Sequence, residues 1–224
     1  MNRWKGVWAA AAAGLLICGC ARAGRPEDKF LPQVSSIYVA KDGEIFSATV
    51  EPWEDGEYDS ASLRQFITDE VAAYNESLGA SAQSFAEGEE APLPVAVDSC
   101  QAGEGKLWVV YRYKDSEAFR DFAREYHDKA NETISFGTGT ALAGQAAGWF
   151  AGGDFVKLGR GDAVTAARQK DLERLEKERM VMVEADHSII LQTEGKILYV
   201  TRNVAVLGKN TVQIPEGKHY VVFR

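Results

Sequence analysis

The residues of this chain that could carry chemistry are three histidines, one interior cysteine and a loop dense in carboxylates and aromatics. Cys100 with a histidine would make a nucleophile–base pair, but His127, His187 and His219 lie far apart in sequence. His127 closes a helical pattern, where a cation complements the helix dipole. His187 and His219 fall in or near strand patterns, so each reads as structural or exposed. A zinc hydrolase would place two ligands on one helix face, and no His-Glu-x-x-His occurs. No Gly-x-Ser-x-Gly elbow occurs either. Gly137-x-Gly139 followed by Gly144 has neither the dinucleotide spacing nor the Lys-Ser/Thr of a phosphate loop. Asp42-Gly43 and Asp55-Gly56 do not extend into a calcium loop. Glu51, Glu54, Asp55, Glu57 and Asp59 surround Trp53 and Tyr58. A glycosidase needs two such carboxylates at a separation that sequence does not define. Trp53, Asp55, Glu57 and Tyr58 are therefore kept as a candidate surface for a cation or a sugar, with a solvated loop as the plainer account. No catalytic residue, metal ligand or cofactor site is assigned. Asn75-Glu76-Ser77 and Asn131-Glu132-Thr133 match the glycosylation acceptor pattern.

A different cysteine has a clearer setting. Arg3 and Lys5 precede the uncharged run Gly6 to Ile17, and the chain continues Cys18-Gly19-Cys20. A short basic region, an apolar stretch and a small residue before a cut are the layout of a secretory signal peptide. The apolar stretch is too short to span a bilayer, which needs about 20 residues. With Gly19 before it, Cys20 resembles the lipidated cysteine of a bacterial lipoprotein signal. The resemblance implies that Cys20 is diacylated and becomes the new N-terminus. Cleavage after Ala21 or Ala23 is the alternative; Cys18 is disfavoured because Ile17 before it is bulky. Two acyl chains hold a protein stably at a membrane where one does not.

The chain of 224 residues carries a formal charge of −8. Loss of residues 1–19 would remove two cations and no acid, taking the charge to −10. An acidic chain argues against nucleic acid as partner, and against direct adhesion to anionic lipid. Cysteine is sparse: with Cys20 held by lipid, Cys100 has no disulfide partner, so packing must supply the stability. Cys100 reads as a small buried hydrophobe.

The elements that would position these residues follow a repeated order. Residues 20–33 read as the lipidated cysteine and a tether. Ser36–Val39 and Ile45–Val50 flank Lys41-Asp42-Gly43, a hairpin signal. Asp59-Ser60 caps a helix whose apolar face is Leu63, Phe66, Ile67, Val71, Tyr74 and Leu78, stopping at Gly79. Val95–Val97 and Leu107–Tyr111 flank a second turn at Gly103-Glu104-Gly105. Asp115-Ser116 then starts a second helix with Phe119, Phe122, Ala123 and Tyr126 on one face. Asp59-Ser60-x-x-Leu63-Arg64-x-Phe66 aligns with Asp115-Ser116-x-x-Phe119-Arg120-x-Phe122. Two successive hairpin–helix (ββα) units over residues 34–133 are expected, with helices packed on sheet. Residues 134–153 are uncharged and rich in Gly and Ala, with Gly144, Gly148 and Gly152 four apart, and read as a buried helix or loop. Asp162 to Arg179 reads as a charged helix with Glu173 and Lys177 paired. Strands are expected at 181–184, 188–192, 197–201, 204–207, 212–214 and 219–223. The fold class is thus α+β, with residues 134–224 forming a Gly/Ala-rich segment, a helix and a β-rich end.

Three stretches carry a wider likeness: Tyr58-Asp59 to Tyr74-Asn75, Phe136-Gly137-Thr138, and Gly195-Lys196-Ile197-Leu198-Tyr199-Val200 with Val204. In these the chain resembles a group of uncharacterised lipoproteins of Gram-positive, Clostridia-type gut bacteria. The Ala/Gly-rich Leu142–Gly153 departs from that pattern. The resemblance implies a location outside the cytoplasmic membrane and a non-catalytic role; it supplies no activity and no site residues. The expectation is a non-enzymatic interaction module anchored through diacylglycerol on Cys20, meeting an envelope protein or cell-wall ligand. A solute-binding lipoprotein and a cell-wall enzyme are the alternatives.

Overall fold

The structure, a computed structural model, describes residue 30 and residues 32–53, 59–85, 92–126, 128–151, 153–159 and 164–224. The expected lipidation residue Cys20, the loop residues Asp55, Glu57 and Tyr58, and His127 lie outside the described residues.

The fold is α+β and mostly β. The first half runs β1 (Ser36–Val39), β2 (Ile45–Pro52), α1 (Ser60–Ser77), β3 (Val95–Gly103), β4 (Lys106–Tyr113) and α2 (Ser116–Glu125). Then come β5 (Ser135–Thr140), α3 (Ala141–Ala146), β6 (Phe155–Leu158), β7 (Val164–Ala166) and α4 (Gln169–Leu172). The chain closes with β8 (Arg179–Ala185), β9 (Ile189–Thr193), β10 (Ile197–Thr201), β11 (Ala205–Val206), β12 (Thr211–Ile214) and β13 (Gly217–Phe223).

Two sheets form. One has the order β11-β12-β9-β1-β2-β4-β3, the other β5-β8-β13-β10-β6-β7. Both hairpins of the first half therefore lie in the same sheet. Its pairings are antiparallel except for β1 with β9, where Ile37 faces Leu191 and Val39 faces Thr193 in parallel register. After β8 the chain alternates between the sheets, entering the larger one at β9, the smaller at β10, the larger at β11 and β12, and the smaller at β13.

Strand alternation puts one face of each sheet into a shared core. Ile37, Val39, Ile45, Val109 and Leu191 from the larger sheet join Phe136, Val181, Val183, Val221 and Phe223 from the smaller one. A bulge in β10, between Ile197 and Tyr199, lets Ile197 and Val200 both point into this core. The helices complete it: Ile67, Val71 and Tyr74 from α1, and Phe119, Phe122 and Ala123 from α2. Phe119 meets Phe136 edge to face at 4.8 Å, tying α2 to the smaller sheet. The expected face of α1 needs correcting at Phe66 and Leu78, which are 60% and 57% exposed. Ile67, Val71 and Tyr74 recur at helical spacing, and Phe66, about 100° round the axis from Ile67, falls off that stripe.

The outer faces are covered too. On the larger sheet, Phe30 stacks on Tyr38 at 4.9 Å and Tyr38 meets Phe46 edge-on. Phe30, expected in the tether, is 4% exposed, so the folded body takes it in. On the smaller sheet, Met180, Tyr199 and Val222 lie under Phe150, Phe155, Leu172 and Leu175.

The uncharged segment, expected to be a buried helix or loop, does hold a short helix, α3, and turns after it, but its first part is strand β5. Its glycines are explained by Trp149. A Cβ on Gly137 would meet that indole at 3.1 Å, and one on Gly144 would meet it at 3.1 Å and the Met180 sulfur at 2.7 Å. The spacing of Gly144 and Gly148 is no helical stripe, since α3 ends at Ala146 and Gly148 is left-handed at φ +75°. The charged helix expected over Asp162–Arg179 is also corrected: the described part holds β7 and the four-residue α4. Only Leu172 and Leu175 are apolar anchors there, and the Gln145 amide donates to both of their carbonyls, at 3.2 and 2.6 Å. That satisfies backbone groups a longer helix would have used.

Gly195, between β9 and β10, is where the chain crosses itself. A Cβ there would overlap the Arg224 carbonyl and lie 2.9 Å from Lys41 Cε. Gly195→Ala is expected to cost about 1–3 kcal/mol, the usual penalty for overpacking against main chain. An unchanged urea midpoint for that variant would show that the crossing relaxes freely.

Candidate functional site

Two concavities and two buried polar clusters are the places where a function could reside. The first concavity, about 450 Å³, is lined by Gln33, Val34, Ser35, Val50, Pro52 and Lys106 among others. It lies where the chain enters the larger sheet. Ser35 Oγ receives the Val50 N–H at 2.9 Å, locking that entry to the end of β2. Trp53, half-buried, is next in the chain, and its N–H donates to the Gly105 carbonyl at 2.9 Å. Of the expected surface Trp53, Asp55, Glu57 and Tyr58, the described residue Trp53 thus adjoins this hollow.

The second concavity, about 300 Å³, is at the opposite end of β1 and β2. Lys41, Lys196, Lys209 and Arg224 line it, with Glu194 and Asn210. Nothing at sequence level pointed to it, because its cations come from three turns and the end of β13, separated by up to 183 positions between Lys41 and Arg224.

The buried polar clusters hold the helices. Asn75, fully buried at the end of α1, donates to the carbonyls of Gln83 and Val95 at 2.7 and 2.8 Å and accepts the Val95 N–H at 3.1 Å. Asn131, also fully buried, donates to Ala48 O at 3.0 Å and to Asp128 Oδ2 at 2.9 Å. Both asparagines of the glycosylation patterns are therefore structural pins. Asp128 also accepts from Thr49 Oγ1 at 3.2 Å. Desolvation pushes its carboxyl above the usual range, against the lowering by Asn131 and Thr49. Beside it, Tyr113 and Ser47 share a hydrogen bond of 2.8 Å, and burial drives the Tyr113 phenol well above its ordinary value.

Cys100, His219 and His187 have the following surroundings. Burial pushes the Cys100 thiol up, with Arg64 opposing more weakly, whereas a nucleophilic cysteine needs the reverse. His219 Nε2 lies 3.2 Å from the Glu216 carbonyl, which can only accept, so Nε2 carries the proton. Its Nδ1 then accepts from the Thr201 hydroxyl at 3.0 Å. His187 is bonded to Asp186 at 2.8 Å. Among the described residues no three His, Cys, Asp or Glu side chains are grouped to hold a metal ion.

Asn75→Ala is expected to destabilise by roughly 2–4 kcal/mol, since it strands the buried Val95 N–H and two carbonyls; a loss near zero in urea unfolding would show that water replaces the amide. For Asp128 the sign follows from its raised folded value. Its contribution is fully present below the ordinary aspartate range and is lost as pH rises through the folded value. Asp128→Asn should remove that loss, so the variant gains on the wild type as pH rises from the ordinary aspartate range through the raised folded value. A pH-independent difference in urea midpoint would contradict the desolvation.

No family model, curated protein or solved structure matches this chain.

Proposed function

We propose that the protein is a lipid-anchored, extracytoplasmic binding module of a bacterial envelope, held at the membrane by a diacylated Cys20 and acting without catalysis. The observation that carries this reading is the run from Arg3 through Ile17 to Gly19-Cys20, with a folded body that begins soon after it. Phe30 is seated against Tyr38, ten residues beyond Cys20, and a fully extended chain of that length reaches at most about 35 Å. The body would therefore stay near the bilayer. No described helix is long and apolar enough to cross a membrane, so attachment in this reading is the work of the lipid.

We read the first half as a duplicated ββα unit. The palindromic strand order β1-β2-β4-β3 is what two hairpins related by a local twofold would give. Asp59 accepts from the N–H groups of Ala61 and Ser62, and Asp115 from those of Glu117 and Ala118. Asn75 and Asn131 each follow their capping aspartate by 16 positions, and each is a buried amide bound to strand main chain. The helices depart from the symmetry: α1 lies on β3, while α2 reaches β5 as well as β2, β3 and β4.

A solute-binding lipoprotein is the second reading, favoured by the hollow beside Trp53. The third is a cell-wall enzyme; burial raises the Cys100 thiol, which runs against a nucleophile at that one residue.

The test of the anchor is direct. In a bacterial host that processes lipoproteins, the wild-type protein is expected in the membrane fraction, its N-terminal peptide starting at Cys20 and carrying a diacylglyceryl mass. Cys20→Ser should move most of the protein to the soluble fraction. Retention of the variant in the membrane, or an intact residue 1–19 segment on the wild type, would sink the proposal.

A further inference from the structure

The concavity at the far end of the β1–β2 hairpin is a second site with its own chemistry. We infer that it binds a phosphate-bearing ligand through Lys41, Lys196, Lys209 and Arg224. Four cationic side chains and one carboxylate side chain, that of Glu194, line it, in a chain whose formal net charge is −8. Among the described residues none of the four cationic side chains is in an ion pair, whereas Arg112 is paired with Glu44, Arg168 with Asp171 and Lys218 with Glu184. Glu194 belongs to the site, where its Oε2 accepts from the Lys41 main-chain N–H, and Asp42 nearby accepts from the Glu44 N–H. A fifth cation flanks the site. The Arg179 guanidinium packs on Gly43, and its buried Nε has no hydrogen-bond partner among the described residues.

The walls are fixed before any ligand arrives. Lys196 and Arg224 exchange main-chain bonds of 2.9 and 3.1 Å. Ile197 N–H donates to Lys209 O at 3.0 Å, and Thr193 N–H to Asn210 O at 2.9 Å. Asn210 in turn donates its amide to Thr193 O at 3.1 Å. Gly195 leaves room for the Lys41 stem to lie across the turn. Like charges held together on rigid turns repel, and a dianion relieves that repulsion where a monovalent carboxylate relieves half as much. A concave setting focuses the field of the cations on a bound anion. The volume of about 300 Å³ is at the small end of ligand sites, which suits a phosphate group with a small substituent or a few units of a phosphate chain.

The position adds a direction. β2 spans eight residues, roughly 26 Å of extended chain. Its far end borders the entry of the chain at Ser35, and its near end borders the cationic hollow. The hollow thus lies at the end of the hairpin remote from the point where the chain enters the sheet. The binding does not rest on the proposed anchor.

The test is calorimetric titration of the full chain in neutral detergent with inorganic phosphate, linear tripolyphosphate and acetate. Saturable phosphate binding is expected, weakening as salt is raised and falling at least about tenfold, or 1.4 kcal/mol, in Lys196→Glu/Lys209→Glu. Lys196→Gln/Lys209→Gln, which only removes charge, should fall less and keeps the test open should the reversal fail to fold. Tighter binding of tripolyphosphate than of phosphate would identify a phosphate chain as the source, and equal binding a single phosphate group. Absence of saturable binding, acetate binding as tightly as phosphate, or affinity unchanged in the folded variants would each overturn the inference. None of these outcomes bears on the Cys20 fractionation, so the two proposals fail separately.

Discussion

The parallel pairing of β1 with β9 is the contact on which the rest of the structure depends. It joins residues more than 150 positions apart, Ile37 with Leu191 and Val39 with Thr193, all four fully buried. Without it the first half would be a four-stranded sheet with two helices, its β1 edge open and apolar. With it, β9 and β12 extend the sheet, and the alternation of the last strands between layers brings the smaller sheet face to face with the larger. Loop closure over that separation is entropically costly, and the burial of the shared core offsets it. A pairing of such long range also predicts slow folding relative to a helical protein of this size.

The two layers are held in register by groups that tolerate little change. Asn75 and Asn131 each satisfy main-chain groups inside the fold, so truncating either leaves a donor or acceptor without water. Gly137 and Gly144 form the slot for Trp149, and Gly195 lets the Arg224 main chain and the Lys41 stem pass. These constraints act by exclusion of volume and by unmet hydrogen bonds, both of which exceed anything the surface ion pairs supply. Pairs such as Lys129 with Glu132 are exposed and screened, and contribute little.

Function, on this reading, is divided between the ends of one hairpin. The entry end carries the link to the proposed anchor and the hollow beside Trp53. The turn end carries four cations that are in no ion pair among the described residues. Between them, His219 and Tyr113 are held by hydrogen bonds to Thr201 and Ser47. An acidic chain that brings four cationic side chains to one hollow has a local preference that its overall charge would not reveal.

Local order was legible in the sequence and its arrangement was not. Asp59 and Asp115 announced both helices because a carboxylate beside free N–H groups is a local interaction. A run rich in β-branched and aromatic residues announced β10 at Ile197–Thr201 to the residue, and the Arg3 to Cys20 run suggested an anchor from spacing alone. The segment 162–179 misled because charge pairs at helical spacing are a weak local force, and the capture of Leu172 and Leu175 by Gln145 and the smaller sheet overrides them. Strand β5 was missed because its glycines lower strand propensity, and Trp149, which packs on Gly137, is recognisable as the partner of that glycine only in three dimensions. Tertiary structure alone brought Lys41, Lys196, Lys209 and Arg224 together, since charges on separate turns have no spacing that a sequence can display. The amino-acid sequence by itself determined the two capped helices and the strands around them, through interactions a few residues long. The tertiary structure decided the sheets and the hollows, through contacts whose partners are separated by most of the chain.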